Sequence, residues 1–125
     1  MTPTSNEDRQ RGTGPGEDDA TEFEISVETL KRRLDSGESI QIVDVREVFE
    51  YRTANIGGLL IPLHELPDRI SELDKEKELI LMCHHGQRSA RATEFLRRKG
   101  FRFARNLVGG IDAWSLHIDA TVPRY

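Results

Sequence analysis

One run, Leu79-Ile80-Leu81-Met82-Cys83-His84-His85-Gly86-Gln87-Arg88-Ser89, constrains this chain more than any other stretch. Four apolar residues lead straight into the only cysteine. A short apolar run without polar alternation is a strand buried on both faces, as in a parallel sheet. A polar loop containing Gly86 follows, and Arg88 to Lys99 reads as a helix with Ala92, Phe95 and Leu96 on one side. The thiol is therefore placed at the tip of a buried strand, just ahead of a helix N-terminus. Backbone N–H groups and the positive end of the helix dipole then face the sulfur. Both favour thiolate over thiol, which makes the cysteine a better nucleophile.

The remaining pattern alternates strands and helices. Glu24-Ile25 is a short first strand, and Ser26 is an N-cap for a helix carrying Val27, Leu30 and Leu34 on one face. Gly37 ends that helix, and Ile40 to Val45 is a second buried strand. A short helical turn through Phe49 and Tyr51 is broken by Gly57-Gly58, and Leu59 to Ile61 is a strand stopped by Pro62. Leu63 to Leu73 contains a helix with Pro67 near its first turn. After the central run come a strand over Phe103 to Val108, a Gly109-Gly110 turn and a short helix over Ile111 to Leu116. Trp114 on that helix is a core residue or a pocket wall. This alternation argues for α/β architecture, a parallel sheet covered on both faces. Ligands of such sheets bind at the carboxyl ends of the strands, where Cys83 falls.

At 125 residues the chain has room for one core. Residues 1–22 hold six acidic and two basic residues and almost no large apolar side chain, so they account for the whole net charge of −4. That segment is expected to be a disordered acidic tail, leaving a domain over 23–125. The domain itself balances sixteen charges of each sign, which gives no indication of a nucleic-acid partner. No signal-like or membrane-spanning apolar run occurs. One cysteine forms neither an intrachain disulfide nor a Cys-Cys zinc site, and a reducing, cytoplasmic setting fits it.

Three reactions suit such a thiol. A cysteine phosphatase or arsenate reductase needs a loop wide enough for an oxyanion, with an arginine six positions after the cysteine. Here position six is Ser89 and Arg88 comes one earlier, so the loop is one residue short. Dithiol redox chemistry needs a second cysteine, which this chain lacks. Sulfur transfer needs one thiolate to hold sulfane sulfur as a persulfide, with loop amides to stabilise the terminal sulfur. A fourth reading is non-catalytic: an inert buried thiol in a binding module that docks partners on its surface.

The chain resembles the rhodanese family from about Phe23 to Tyr125. The matching pieces are Ile42-Val43-Asp44-Val45-Arg46-Glu47, Glu50-Tyr51, Ile56-Gly57-Gly58 with Ile61-Pro62, the loop Cys83 to Ser89, and Asn106 to Trp114. The resemblance implies a three-layer α/β fold around a five-stranded parallel sheet. It implies that Cys83 carries the persulfide and that His84, His85, Gly86, Gln87 and Arg88 form the cradle, with no cofactor. It implies a thiosulfate:cyanide-type sulfurtransferase whose donor is thiosulfate or a protein persulfide. The His-His-Gly loop and the ending Val122-Pro123-Arg124-Tyr125 are similar to a subgroup of single-domain rhodaneses and of domains fused to ubiquitin-activating-like adenylyltransferases. Many family members have Gly-His where this chain has Ala54-Asn55.

Roles around the loop stay open at this level. His84 and His85 either donate to the persulfide or face solvent; adjacent histidines diverge in direction, so no metal site is expected. Gly86 serves backbone geometry. Arg88 either faces the pocket or pairs with Glu47, Glu50 or Asp44. Asp44, Arg46 and Ser89 support the site from its rim. Arg91, Arg97, Arg98, Lys99, Arg102 and Arg105 are expected to make the loop side basic, either as a solvated face or as a dock for an acidic protein donor or acceptor.

Overall fold

The computed structural model describes residues 21–125, so the expected tail lies almost wholly outside the described residues. The described chain has five strands: β1 (Glu24–Ile25), β2 (Ile40–Asp44), β3 (Leu59–Leu60), β4 (Glu78–Met82) and β5 (Ala104–Leu107). The helices are α1 (Val27–Asp35), α2 (Val48–Thr53), α3 (Leu66–Arg69), α4 (Gln87–Arg98) and α5 (Gly110–His117). The strands form one sheet in the order β1-β5-β4-β2-β3, and every pairing is parallel. The expected five-stranded parallel α/β sheet is thus the fold.

The central position of β4 explains its unbroken apolar sequence. Leu79, Leu81 and Cys83 pack on one face with Ala92 and Leu96 of α4. Ile80 and Met82 pack on the other with Leu30 of α1 and Ile111 and Trp114 of α5. Alternate side chains point to opposite faces, so a strand covered on both sides must be apolar at every position. Trp114 belongs to this second core.

One expected helix is broken. The segment 63–72 divides into a 3₁₀ turn (Leu63–Glu65), α3 and a second 3₁₀ turn (Ile70–Glu72). Pro67 stands in the first turn of α3 and offers no N–H to extend a hydrogen-bond ladder from the preceding turn. Other elements agree with the sequence reading to within a residue or so at each end. Among the described residues, no helix is long and apolar enough to cross a membrane.

Candidate active site

The carboxyl end of β4 delivers Cys83 into the gap before α4, and its side chain is buried at 1% exposure. Three donors meet its sulfur. The Gly86 N–H lies 3.1 Å from Sγ, the Ser89 N–H 3.4 Å and the Ser89 hydroxyl 3.2 Å. Gly86, the N-cap of α4, has φ 114°, a left-handed conformation that aims its N–H back at the sulfur and suits glycine. Ser89 sits in the first turn of α4, fully buried, where its amide has no helical acceptor of its own. Its hydroxyl also lies 2.6 Å from Asn106 Oδ1 on β5. A hydroxyl has one proton, so it serves sulfur and carboxamide alternately.

The loop is held from behind. The Ile111 N–H donates to the Cys83 carbonyl at 2.9 Å, and the Asp112 N–H donates to the His84 carbonyl at 3.1 Å. These are orphan amides of the first turn of α5. A Cβ on Gly110 would overlap both carbonyl oxygens, and Gly110 also has φ 58°. With the carbonyls turned toward α5, the opposite edge of the loop backbone is left for the sulfur.

Of the two sequence readings of Arg88, the structure shows the ion pair. Nη1 and Nη2 bind the Glu50 carboxylate at 2.7 and 2.9 Å. Glu50, in the first turn of α2, also accepts the Glu47 N–H at 3.0 Å and the Tyr125 hydroxyl at 2.8 Å. Foremost through Arg88, its carboxyl is held down at about 2. Tyr125 in turn accepts from Arg46 Nη1 at 2.8 Å. Arg46 and Asp44 are both fully buried and joined by two side-chain hydrogen bonds at 2.8 and 2.9 Å. Arg46 also donates to the Ala54 carbonyl at 2.7 Å. Asn55 binds the Tyr51 carbonyl and the Gly57 N–H, so the Ala54-Asn55 departure is built into this support. Asp44, Arg46, Tyr125, Glu50 and Arg88 therefore form one chain of charged hydrogen bonds beside the loop.

One expectation about the loop changes. His84 and His85 do not diverge: their rings stack at 4.0 Å, and His84 stacks on Tyr125 at 4.0 Å. Burial, then His85, push the His84 imidazole below its ordinary range, which keeps it neutral at pH 7. Together with Asp112 their ligand atoms lie within 4.8 Å of one another. Near-parallel rings, however, aim their in-plane lone pairs alongside each other rather than at one centre, and Asp112 is already paired with Arg124 at 2.8 Å. Among His84, His85, Gly86, Gln87 and Arg88, only Gly86 donates to the sulfur, while Ser89 supplies the other two contacts. Gln87 is exposed on the first turn of α4.

Two members of the expected basic cluster lie away from the loop. Arg97 lies nine residues along α4 from Arg88, about 14 Å from the loop, and binds the carbonyls of Ala104, Thr21 and Glu22. Arg105 is buried against Glu78, at the opposite end of β4 from Cys83. Arg97 and Arg105 are thus absorbed by structural contacts away from the loop, while Arg91, Arg98, Lys99 and Arg102 are exposed, as a solvated face requires. Sequence reasoning missed Tyr125 as a neighbour of the loop; the ending Val122-Pro123-Arg124-Tyr125 was its one visible sign.

Comparison with known proteins gives a consistent picture. A family model described as the rhodanese-like domain matches residues 26–117. The protein YrkF of Bacillus subtilis (strain 168) is 39% identical over 108 residues, 86% of this chain and 58% of its own length. A sulfurtransferase of Allochromatium vinosum is 37% identical over 95 residues, 75% of this chain and 89% of its own. A rhodanese-like domain protein from Staphylococcus aureus superposes with a TM-score of 0.70 at 34% identity, covering 74% of this chain and 91% of its own. The chain thus spans little more than half of YrkF and nearly all of the other two.

Proposed function

The chain belongs to the rhodanese-like domain family, and on that premise we propose that it is a sulfurtransferase carrying sulfane sulfur as a persulfide on Cys83. The observation that carries this reading is the convergence of the Gly86 amide, the Ser89 amide and the Ser89 hydroxyl on one buried sulfur. Hydrogen bonds to an anionic acceptor are about twice as strong as neutral ones, so this arrangement stabilises a thiolate and the sulfur anion that replaces it. The name of the Allochromatium vinosum relative agrees with the reading.

The reaction has two displacements. The Cys83 thiolate attacks the outer sulfur of a donor, its S–S bond breaks, and the donor's remaining sulfur or sulfite leaves with the electron pair. The Cys83–S–S⁻ so formed gives up its outer sulfur to an acceptor nucleophile, and the thiolate is regenerated. Cyanide serves as acceptor in vitro and leaves as thiocyanate; a thiol leaves as a new persulfide. With one cysteine in the chain, the sulfur departs to another molecule. In this scheme Ser89 follows the charge by turning its hydroxyl from Asn106 to the sulfur. Arg88, fixed by Glu50, holds the α4 end of the loop. Asp44 and Arg46 anchor the support behind Tyr125. A reducing cytoplasm suits a thiol kept free for turnover.

Intact-mass spectrometry after incubation with thiosulfate or an alkyl persulfide tests the proposal. The expected result is a gain of one sulfur atom that cyanide removes and that Cys83→Ala does not show. No adduct from any sulfane donor, or turnover of an aryl phosphate in its place, overturns it.

A further inference from the structure

Among the described residues, the arginines beside the loop are each matched by a carboxylate. Arg46 is paired with Asp44, Arg88 with Glu50 and Arg124 with Asp112. The Arg88 pair is the one nearest the sulfur, and it is closed: both Glu50 oxygens are engaged by the guanidinium, and the Tyr125 hydroxyl and the Glu47 N–H hold the same carboxylate. Glu50 is 6% exposed, so its counter-charge is built in and not a transient surface contact. Arg91, the next arginine of α4, is exposed and a turn further along the helix. Beside the loop lies a stack of three rings, His85, His84 and Tyr125, with Tyr125 41% exposed.

Resting on the sulfur-transfer reading, we infer that this site selects organic persulfides, R–S–SH, over thiosulfate. Thiosulfate brings two negative charges to a sulfur that reacts as a thiolate, and among the described residues beside the loop its sulfonate finds no uncommitted guanidinium. Breaking the Arg88–Glu50 pair to supply one would leave the Glu50 carboxylate buried and without its main partner, a cost that a solvated dianion does not offset. A low-molecular-weight persulfide brings at most one charge on its sulfur, which the Gly86 and Ser89 donors receive. Its organic group meets the flat ring stack in place of a cation. The displacement balances as before: the R–S to outer-sulfur bond breaks, the Cys83 to outer-sulfur bond forms, and the R–S⁻ thiolate leaves with the electron pair and takes up the proton that the outer sulfur gives up as Cys83–S–S⁻ forms.

The test compares kcat/KM for thiosulfate and for hydroxyethyl persulfide in the wild type and in Glu50→Gln. The expected wild-type preference is at least tenfold for the persulfide, the size of one missing charged hydrogen bond. Glu50→Gln releases the Arg88 charge, and the ratio of thiosulfate to persulfide efficiency is expected to rise about tenfold. If that variant does not fold, the wild-type salt dependence decides. With no free cation among the described residues of the site, KM for thiosulfate does not rise as salt is added; a KM that rises with salt shows an accessible cation and overturns the inference. Equal efficiency with both donors, or an unchanged ratio in a folded Glu50→Gln, also overturns it while leaving sulfur transfer standing. Failure of both donors to load Cys83 overturns the sulfur-transfer reading itself.

Discussion

Removing the charge of Glu50 should cost the protein stability at neutral pH and little in strong acid. The Glu50 carboxyl is lowered from 4.5 to about 2, first by the Arg88 hydrogen bonds and further by the Glu47 amide and the Tyr125 hydroxyl, against its own desolvation. A shift of that size corresponds to about 3 kcal/mol. Arg88 is 35% exposed, and solvent screening of that partner brings a working figure of about 2 kcal/mol. The sign follows from proton linkage. A carboxyl lowered on folding adds stability that is complete above 4.5 and is lost as pH falls toward 2. Urea unfolding of wild type and Glu50→Gln across that range supplies the assay. The gap between the two proteins should be about 2 kcal/mol at pH 7 and should shrink as wild-type Glu50 becomes protonated. A gap that stays constant down to pH 2, or no gap at neutral pH, would refute the reasoning.

Other substitutions probe the loop from different sides. Gly110→Ala places a methyl group against the Cys83 and His84 carbonyls at a positive φ; a loss of about 3 kcal/mol is expected, measured by thermal melting, and an unchanged melting temperature would show that the clamp yields. Ser89→Ala removes the hydroxyl from sulfur and carboxamide together, and persulfide transfer should slow about tenfold or more in stopped flow; an unaltered rate would leave the backbone amides as the working donors. Tyr125→Phe keeps the ring stack but deprives Arg46 and Glu50 of a shared partner. It should lower stability by about 1 kcal/mol, whereas a neutral result would place water in that role.

The legible parts of the site are those that one segment encodes. β4, Cys83, the glycine of the loop and the start of α4 are contiguous, and their apolar run and helical spacing follow from the local chain. The partner of Arg88 was not legible because three acidic residues compete within seven positions. The geometry of α2 decides among them: Glu50 caps back onto the Glu47 amide and so turns its carboxylate toward the loop. Tyr125 is joined to Glu50 and Arg46 across more than seventy positions, a distance at which no spacing rule operates. The structural roles of Arg97 and Arg105 were hidden for a related reason. Arg97 and Arg105 lie close to the loop in sequence, but a helix and a returning strand carry them to the opposite end of the sheet.

The register of β1 has a bearing on how the protein is made. Glu24 pairs beside Asn106 and Ile25 beside Leu107, so the first strand finds no partner until the last strand exists. By contrast, β2, β3 and β4 can pair among themselves as soon as β4 is synthesised. Contacts so distant in sequence close late, after loop entropy has been overcome. The amides that clamp the cysteine loop come later still, from Ile111 and Asp112. A nascent chain therefore carries its reactive thiol for some thirty residues of synthesis before the clamp that shapes the loop can form. Maturation of the site belongs to the end of folding, and a chain interrupted after α4 would display the cysteine without the architecture that governs it.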